Sequence, residues 1–470
     1  MDNGRNVQRF IKYLSDVTFD DLPVRAIERT KLAVMDFLGN ALGSLGTGHE
    51  PLRMLLNLAL EFGGREESTV FGLQKRINCL DAAMVHGILG NFLDFSDGHF
   101  MGAHINDRVV PAALAVAERI GATGEEFVTA VLAGYEAYVR LGYSFSREVD
   151  PVAIRGASEG ILGPLASTIA VGKLLGLSSE QMAGAMGLAS SIQNCATQYS
   201  VSGGHEKTLS PGHDTRRAVL SALAAQKGVL GSKDILEGDR GLRQLIRGPI
   251  DFRGLTERLG EEYRIEECYF KPYPACRYLH ASIDAATKIV QDNEVDPEKI
   301  RRVTVTTNKS SARRSTYNIA SHVSAIFSHP YQVAVVLAEG QPALPTFWKE
   351  KKQKRLIAEL MGRIRVEASP EFDRLYRNRN LDYGTWPSRV EVSTNEGHRC
   401  EVTVLRPKGD PTNPMTVQEL EQKFRKNALN VLEEDEIRSV LDRIHCLERV
   451  DLRGFCQELA TQTVERRLFP

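Results

Sequence analysis

The chain has 470 residues, 42% hydrophobic and 25% charged, the make-up of a soluble globular protein and not of a disordered or fibrous one. That length exceeds one compact core and calls for two or three domains. Lys and Arg number 59 against 60 Asp and Glu, so a net charge of −1 leaves no overall field to attract nucleic acid or an anionic membrane.

From the start to about Glu267 the pattern is almost wholly helical. The segment Pro111 to Ile120, PAALAVAERI, is small and apolar until its end, as a helix buried between other helices would be. Thr123-Gly-Glu-Glu126 has the form of a capping box, and Phe127, Val131, Tyr135 and Tyr138 recur behind it at helical spacing. Ser178-Ser-Glu-Gln181 repeats the device ahead of Met182 and Met186. The character changes near Tyr269. Arg302 to Thr307 and Arg363 to Glu367 alternate like half-buried strands, and Arg389–Thr394 and Arg399–Leu405 pair across a turn at Asn395-Glu-Gly397. Helices are expected at about His280 to Asp292 and Tyr331 to Glu339. A third capping box, Thr416-Val-Gln-Glu419, returns the chain to helix.

These elements predict a mostly α protein with an inserted α+β unit: a helical domain from residues 1–268 and 408–470, and an α+β lid from 269–407. The proline-bearing stretches at Lys271-Pro-Tyr-Pro274 and Arg406 to Pro411 suit the two crossings. Seven scattered cysteines without a C-x-x-C pair fit neither a disulfide framework nor a thiolate metal or iron–sulfur site. Residues 1–16 lack the apolar stretch of a secretory signal, and no run approaches the roughly 20 apolar residues that span a bilayer. A reduced, cytoplasmic protein is the expectation.

Four segments carry residues suited to chemistry. Asn91 to Asp107 packs Asp94, Asp97, His99, His104 and Asp107 beside an apolar helix. A histidine exchanges protons near neutral pH, and a neighbouring carboxylate sets its tautomer and basicity. A solvated loop with capping aspartates, or a metal site from Asp94, Asp97, His99 and His104, is also compatible with this stretch. Gly203 to His213 holds Lys207 but lacks phosphate-loop spacing. Taken alone it reads as a polar loop with an exposed lysine, although such a lysine could bind a carboxylate. Lys271 to His280 places Lys271, Arg277 and His280 at the mouth of a helix, three donors for an anion. Cys276 within it reads as a buried thiol. Ser328-His-Pro-Tyr331 opens an apolar helix, where a tyrosine more often packs than reacts.

In this order the segments resemble the MmgE/PrpD family of 2-methylcitrate dehydratases, cis-aconitate decarboxylases and iminodisuccinate epimerases. The likeness runs through LGN-ALGS near Leu38, NFLDFSD, AGYEAYVRLG and GKLLGLSSEQ, and is tightest at KPYPACRYLH. It implies a large helical domain from both chain ends, a smaller α+β lid, a site between them, a homodimer, and no metal or other cofactor. It implies Asp94 as the first site aspartate, His104 as acid/base, Lys207 and Lys271 as site lysines, and Tyr331 as the site tyrosine. Three positions depart from the family pattern: Gly98 stands for a threonine, and Ser158 and Ser210 stand for histidines. A serine does not relay protons near neutral pH as histidine does. His205 and His213, flanking Lys207, are the candidates to compensate.

The resulting expectation is a cofactor-free lyase or isomerase of a small di- or tricarboxylate that works by proton transfer beside a carboxylate. His104, oriented by Asp94, serves as base or acid, with Tyr331 as a second proton carrier. Lys207, Lys271 and Arg277 neutralise the substrate, with His280, Ser158 and Ser210 around it. A 2-methylcitrate-type dehydration comes first, with epimerisation or decarboxylation of a related acid as alternatives. A non-catalytic carboxylate-binding or scaffold protein is the alternative of another class.

Overall fold

A computed structural model describes residues 3–146, 157–191, 198–244, 250–292, 295–344, 348–377 and 384–460. The chain opens with α1 (Asn3–Asp16), α2 (Val24–Gly46) and α3 (Glu50–Phe62), then a short pair of strands, β1 (Ser68–Thr69) and β2 (Arg76–Ile77). There follow α4 (Cys79–Asn91), α5 (Asn106–Ile120), α6 (Gly124–Ser146), α7 (Ala157–Leu174), α8 (Ser179–Ala189), α9 (Tyr199–Ser202) and α10 (Glu206–Gln226). No helix among the described residues is long and apolar enough to cross a membrane.

Local signals place several of these helices. Thr123 Oγ1 accepts from the Glu126 amide at 3.2 Å while the Thr123 amide donates to Glu126 Oε2 at 2.8 Å, starting α6 as its capping box predicts. The same reciprocal pair opens α8 at Ser178. On α6, Phe127, Val131, Tyr135 and Tyr138 are all fully buried. The PAALAVAERI segment lies inside α5, which begins five residues earlier, at Asn106. Its small side chains let α4, α6 and α7 pack against it.

The second part of the chain carries α11 (His280–Asp292), β3 (Ile300–Thr307), α12 (Lys309–Ala312), α13 (His322–Ile326), α14 (His329–Glu339), α15 (Trp348–Gln353) and α16 (Arg355–Arg363). It continues with β4 (Ile364–Ala368), α17 (Pro370–Arg377), β5 (Ser388–Thr394) and β6 (Arg399–Val404). The four strands form one sheet in the order β4-β3-β5-β6. β3 runs parallel to β4, and β5 is antiparallel to both β3 and β6. The parallel pair follows from the helices α12 to α16, which carry the chain back to the start of β4. Val303, Val305, Val390 and Val392 are fully buried, the inner half of the period-2 alternation. α11, α14 and α16 pack on the sheet.

The chain ends in α18 (Val417–Ala428), α19 (Glu434–His445) and α20 (Leu452–Glu458), with Thr416 capping α18 through Glu419. α18 packs back on α2, so both ends of the chain share one core. Most buried apolar residues between Val7 and Phe270 and between Leu420 and Leu459 form a single cluster, most of those from Ala275 to Val404 form a second, and Tyr269, Tyr376 and Trp386 form a small third one. The protein is therefore mostly α with an α+β unit inserted between two helical segments. The six cysteines among the described residues are free; Cys195 lies outside them.

Candidate active site

Asp94 lies three residues beyond the end of α4, its amide donating to the Asn91 carbonyl at 2.8 Å. Its φ of 54° is left-handed, a conformation Asp and Asn tolerate better than other non-glycine residues. The loop from Asp94 to Ile105 then makes a small hairpin, with His99 and Ala103 exchanging backbone hydrogen bonds at 2.9 Å. Gly98 also exchanges backbone hydrogen bonds with Tyr269, at 3.1 and 2.8 Å, which ties this loop to the segment that carries Lys271. That close approach explains the first departure from the family pattern. A Cβ at Gly98 would lie 2.3 Å from the Ala103 carbonyl oxygen and 2.6 Å from the Tyr269 hydroxyl, so this backbone has no room for a threonine.

Three cationic or basic groups from three separate segments meet the Asp94 carboxylate. Lys207 Nζ lies 2.7 Å from Oδ1, His104 Nε2 lies 3.1 Å from Oδ1, and Lys271 Nζ lies 3.3 Å from Oδ2. All four side chains are buried. Lys271 also donates to the Asp94 carbonyl at 2.8 Å, and Lys207 to Asn91 Oδ1 at 2.8 Å. Burial alone would raise the Asp94 carboxyl; the charges of Lys207 and Lys271, with the hydrogen-bonding contact of His104, overcome it and hold the group well below the carboxylate range. The pKa of His104 falls as well. Burial, then repulsion from Lys271, lowers its pKa against the pull of Asp94, so a neutral imidazole faces an ionised carboxylate.

Behind His104 runs a polar chain. Its Nδ1 is 2.6 Å from Ser96 Oγ, Ser96 donates to Asp107 Oδ2 at 3.1 Å, and Arg108 donates to Asp107 Oδ1 at 2.7 Å. Asn91 donates to the same Asp107 carboxylate. With the proton on Nδ1, hydrogen bonds run from His104 to Ser96 to Asp107 and leave the Nε2 lone pair toward Asp94 and the two lysines. With the proton on Nε2, the imidazole binds Asp94 and Ser96 must turn its hydrogen to Nδ1. The site can therefore hold or release a proton at Nε2.

The remaining sequence candidates fall into separate groups. Asp97 is held by the Asn106 amide at 2.9 Å and the Tyr135 hydroxyl at 2.5 Å, and burial with Asp36 pushes it up to about 7. His99 faces Glu267 at 3.3 Å and accepts from the Met101 amide. Asp94 and His104 face each other while Asp97 and His99 turn to other partners, so among the described residues the four do not converge on one metal position. Arg277 lies over the Tyr269 ring and reaches the Lys408 carbonyl at 3.1 Å and Asp410 at 3.5 Å, so its charge is met away from Asp94. His280 contacts the Ala275 carbonyl at 3.0 Å and feels Lys271 and Asp94 through space, after burial and Arg277. Tyr331 belongs to the core of the inserted unit, with its hydroxyl buried and Glu339 the charge that bears on it. Ser210 is half-buried on α10, and the side chain of Ser158, in the first turn of α7, lies outside the described residues. Of the two compensating histidines, His213 is exposed beside Arg216 and Arg217. His205 turns a buried nitrogen inward.

Two features are not legible in the local stretches that carry them, although the family likeness already implies Lys207 as a site lysine. Lys207 is no exposed loop lysine: the Gly203 turn leads into α10, and Lys207 sits buried in its first turn. Lys423, on α18 at the far end of the chain, donates to Asp36 Oδ1 at 2.6 Å and to the carbonyls of Phe95 and Lys271 at 2.7 and 3.0 Å. It thereby fastens the Asp94 loop and the Lys271 segment to one helix. A lysine on an amphipathic helix gives no local signal of such a role.

The chain matches two family models, the MmgE/PrpD N-terminal domain over residues 8–254 and the MmgE/PrpD C-terminal domain over residues 273–449. It is 25% identical over 448 residues to a cis-aconitate decarboxylase of Mus musculus, covering 90% of this chain and 87% of that protein. A cis-aconitate decarboxylase of Homo sapiens is 25% identical over 91% of this chain and 88% of its own length. One from Aspergillus terreus is 24% identical over 93% of this chain and 92% of its own.

Proposed function

The chain belongs to the MmgE/PrpD family, and on that premise we propose that it is a cofactor-independent lyase that moves a proton at a carbon beside a carboxylate of a small di- or tricarboxylate. The observation that carries this reading is the Asp94 cluster: two buried ammonium groups and one neutral imidazole around a single carboxylate. Substrate carboxylates pair with Lys207 and Lys271, which stabilise the negative charge that builds up as the carbon loses its proton. His104 Nε2 takes that proton, and the Ser96–Asp107 chain behind Nδ1 receives the charge on the ring. Asp94 favours the charged form of Lys271 and holds both lysines in place until the substrate arrives. Domain boundaries at 268/269 and 407/408, a homodimer and a cytoplasmic location complete the proposal.

A neutral His104 suits abstraction, the first half of a 2-methylcitrate-type dehydration; in the second half the C–O bond to the neighbouring hydroxyl breaks, and that group takes the proton from His104 and leaves as water. The second reading rests on the relatives, which are named cis-aconitate decarboxylases. There the proton travels the other way: His104 delivers it to the unsaturated carbon, the double bond shifts, and a neighbouring carboxylate leaves as carbon dioxide. The net uptake is one proton.

The test is incubation with citrate, 2-methylcitrate and cis-aconitate in deuterium oxide, followed by NMR. Deuterium at the carbon beside a carboxylate, or a dehydrated or decarboxylated product, is expected from at least one acid. His104→Ala should lower that rate by about a hundredfold or more. Binding without exchange for every acid would leave a carboxylate-binding scaffold in place of an enzyme.

A further inference from the structure

Three imidazoles that play no part in the chemistry above meet beside it. His49 caps α3, His205 caps α10, and His322 is the first residue of α13 in the inserted unit. The His322 ring centroid lies 5.0 Å from His49, 5.2 Å from His205 and 4.4 Å from Phe92. Phe92 stands two residues before Asp94, and His205 two residues before Lys207, so the cluster borders the Asp94 site on both strands of its chain. Ser321 fastens α13 here by donating to the Gly203 carbonyl at 2.7 Å.

His322 is 1% exposed, and neither of its ring nitrogens has a hydrogen-bond partner among the described residues. The same holds for His49 Nδ1 and His205 Nε2. Buried polar atoms in a folded protein are almost always satisfied, so four unmet nitrogens in one place point to a partner from outside the chain. That partner is not a metal ion. The His205 and His322 rings are tilted 35° to each other, and no three ligating side chains among the described residues come together to hold an ion. The surrounding charges select an acceptor with negative charge. His322 faces His49, His205 and Lys207, while His49 faces His205, Lys349 and Glu50. Burial keeps the His49 and His322 rings neutral, so each offers one N–H, and Lys207 is the cation that bears on His322.

We infer that His49, His205 and His322 form a subsite for the substrate carboxylate remote from the reacting carbon, which makes the enzyme selective for tricarboxylates over dicarboxylates. This deepens the proposed function and rests on it. Because His322 comes from the inserted unit and the other two from the helical one, the subsite also joins the two units across the bound acid.

The test is calorimetric titration with tricarballylate, a saturated tricarboxylate, and with glutarate, which lacks the third carboxylate. The wild-type protein should bind tricarballylate about tenfold or more tighter, and His322→Phe, which keeps the ring packing on Phe92, should bring the ratio near one. With a turned-over tricarboxylate, KM should rise more than kcat falls. His322→Gln restores a donor and should recover part of the ratio, whereas a packing role would favour Phe over Gln. If His322→Phe does not fold, His49→Phe is read in the same way. A folded variant that binds both probes as the wild type does overturns the inference. Wild-type protein that selects tricarballylate yet exchanges no proton overturns the lyase reading and leaves the subsite standing.

Discussion

Replacing Asp94 by asparagine removes one negative charge and almost nothing else, since asparagine accepts the same left-handed φ of 54°. The charge lies 2.7 Å from Lys207 and 3.3 Å from Lys271, and at an effective dielectric of about 20 each contact carries roughly 5–6 kcal/mol of gross attraction. The carboxylate's own desolvation offsets several kcal/mol of that, so Asp94→Asn should cost about 3–5 kcal/mol, as loss of one partner of a buried ion pair does. The pH dependence makes the test specific. Burial already holds the Lys271 ammonium below its ordinary value, and Asp94 is the main group pulling it back up. Without Asp94 it falls further, so between that lowered value and the ordinary one near 10.4 the folded variant binds fewer protons than the unfolded chain. Its stability must then rise with pH, by up to about 1.4 kcal/mol per unit, more steeply than that of the wild type. In acid the order reverses. The wild type loses the Asp94 contribution as pH falls below about 3.9 toward the depressed folded value, and the variant has none to lose. Urea titrations followed by circular dichroism, run from about pH 3 to about pH 9.5, read both effects. Equal midpoints at every pH would refute the picture of three groups organised by one carboxylate.

Two further outcomes follow from the same geometry. Burial and Lys271 hold His104 below its ordinary pKa, so a base-catalysed dehydration keeps kcat/KM flat as pH falls through 6.5 and declines only beneath it. A decarboxylation that needs the protonated ring instead speeds up through the same range, and a pH–rate profile separates the two. Gly98→Thr, which restores the family's usual residue, should lower stability by about 1–3 kcal/mol, because its Cβ meets the Ala103 carbonyl and the Tyr269 hydroxyl. A thermal-melt midpoint equal to the wild type would show that the Asp94 loop has room the structure does not give it.

The amino-acid sequence determined what depends on neighbours within a turn or two. The capping boxes at Thr123, Ser178 and Thr416 start helices because a side chain three residues on completes the bond. Alternation fixed β3 and the β5–β6 hairpin, and the concentration of Asp94, His104 and Asp107 in one short stretch marked the site loop. The family likeness rests on such contiguous stretches too. What joins distant stretches was decided only by the tertiary structure. From its own stretch alone Lys207 reads as a solvated lysine, and the packing of α10 against α4 is what brings it to Asp94. Lys423 and His322 give no local sign of where they end up, and Arg277 looks like a substrate clamp until Asp410 claims it. The parallel pairing of β3 with β4 likewise follows from the helices between them, not from either strand. Periodicity and capping are short-range preferences written into adjacent residues, whereas the meeting of charges from separate segments depends on how nearly featureless apolar helix faces dock, and no single segment encodes that.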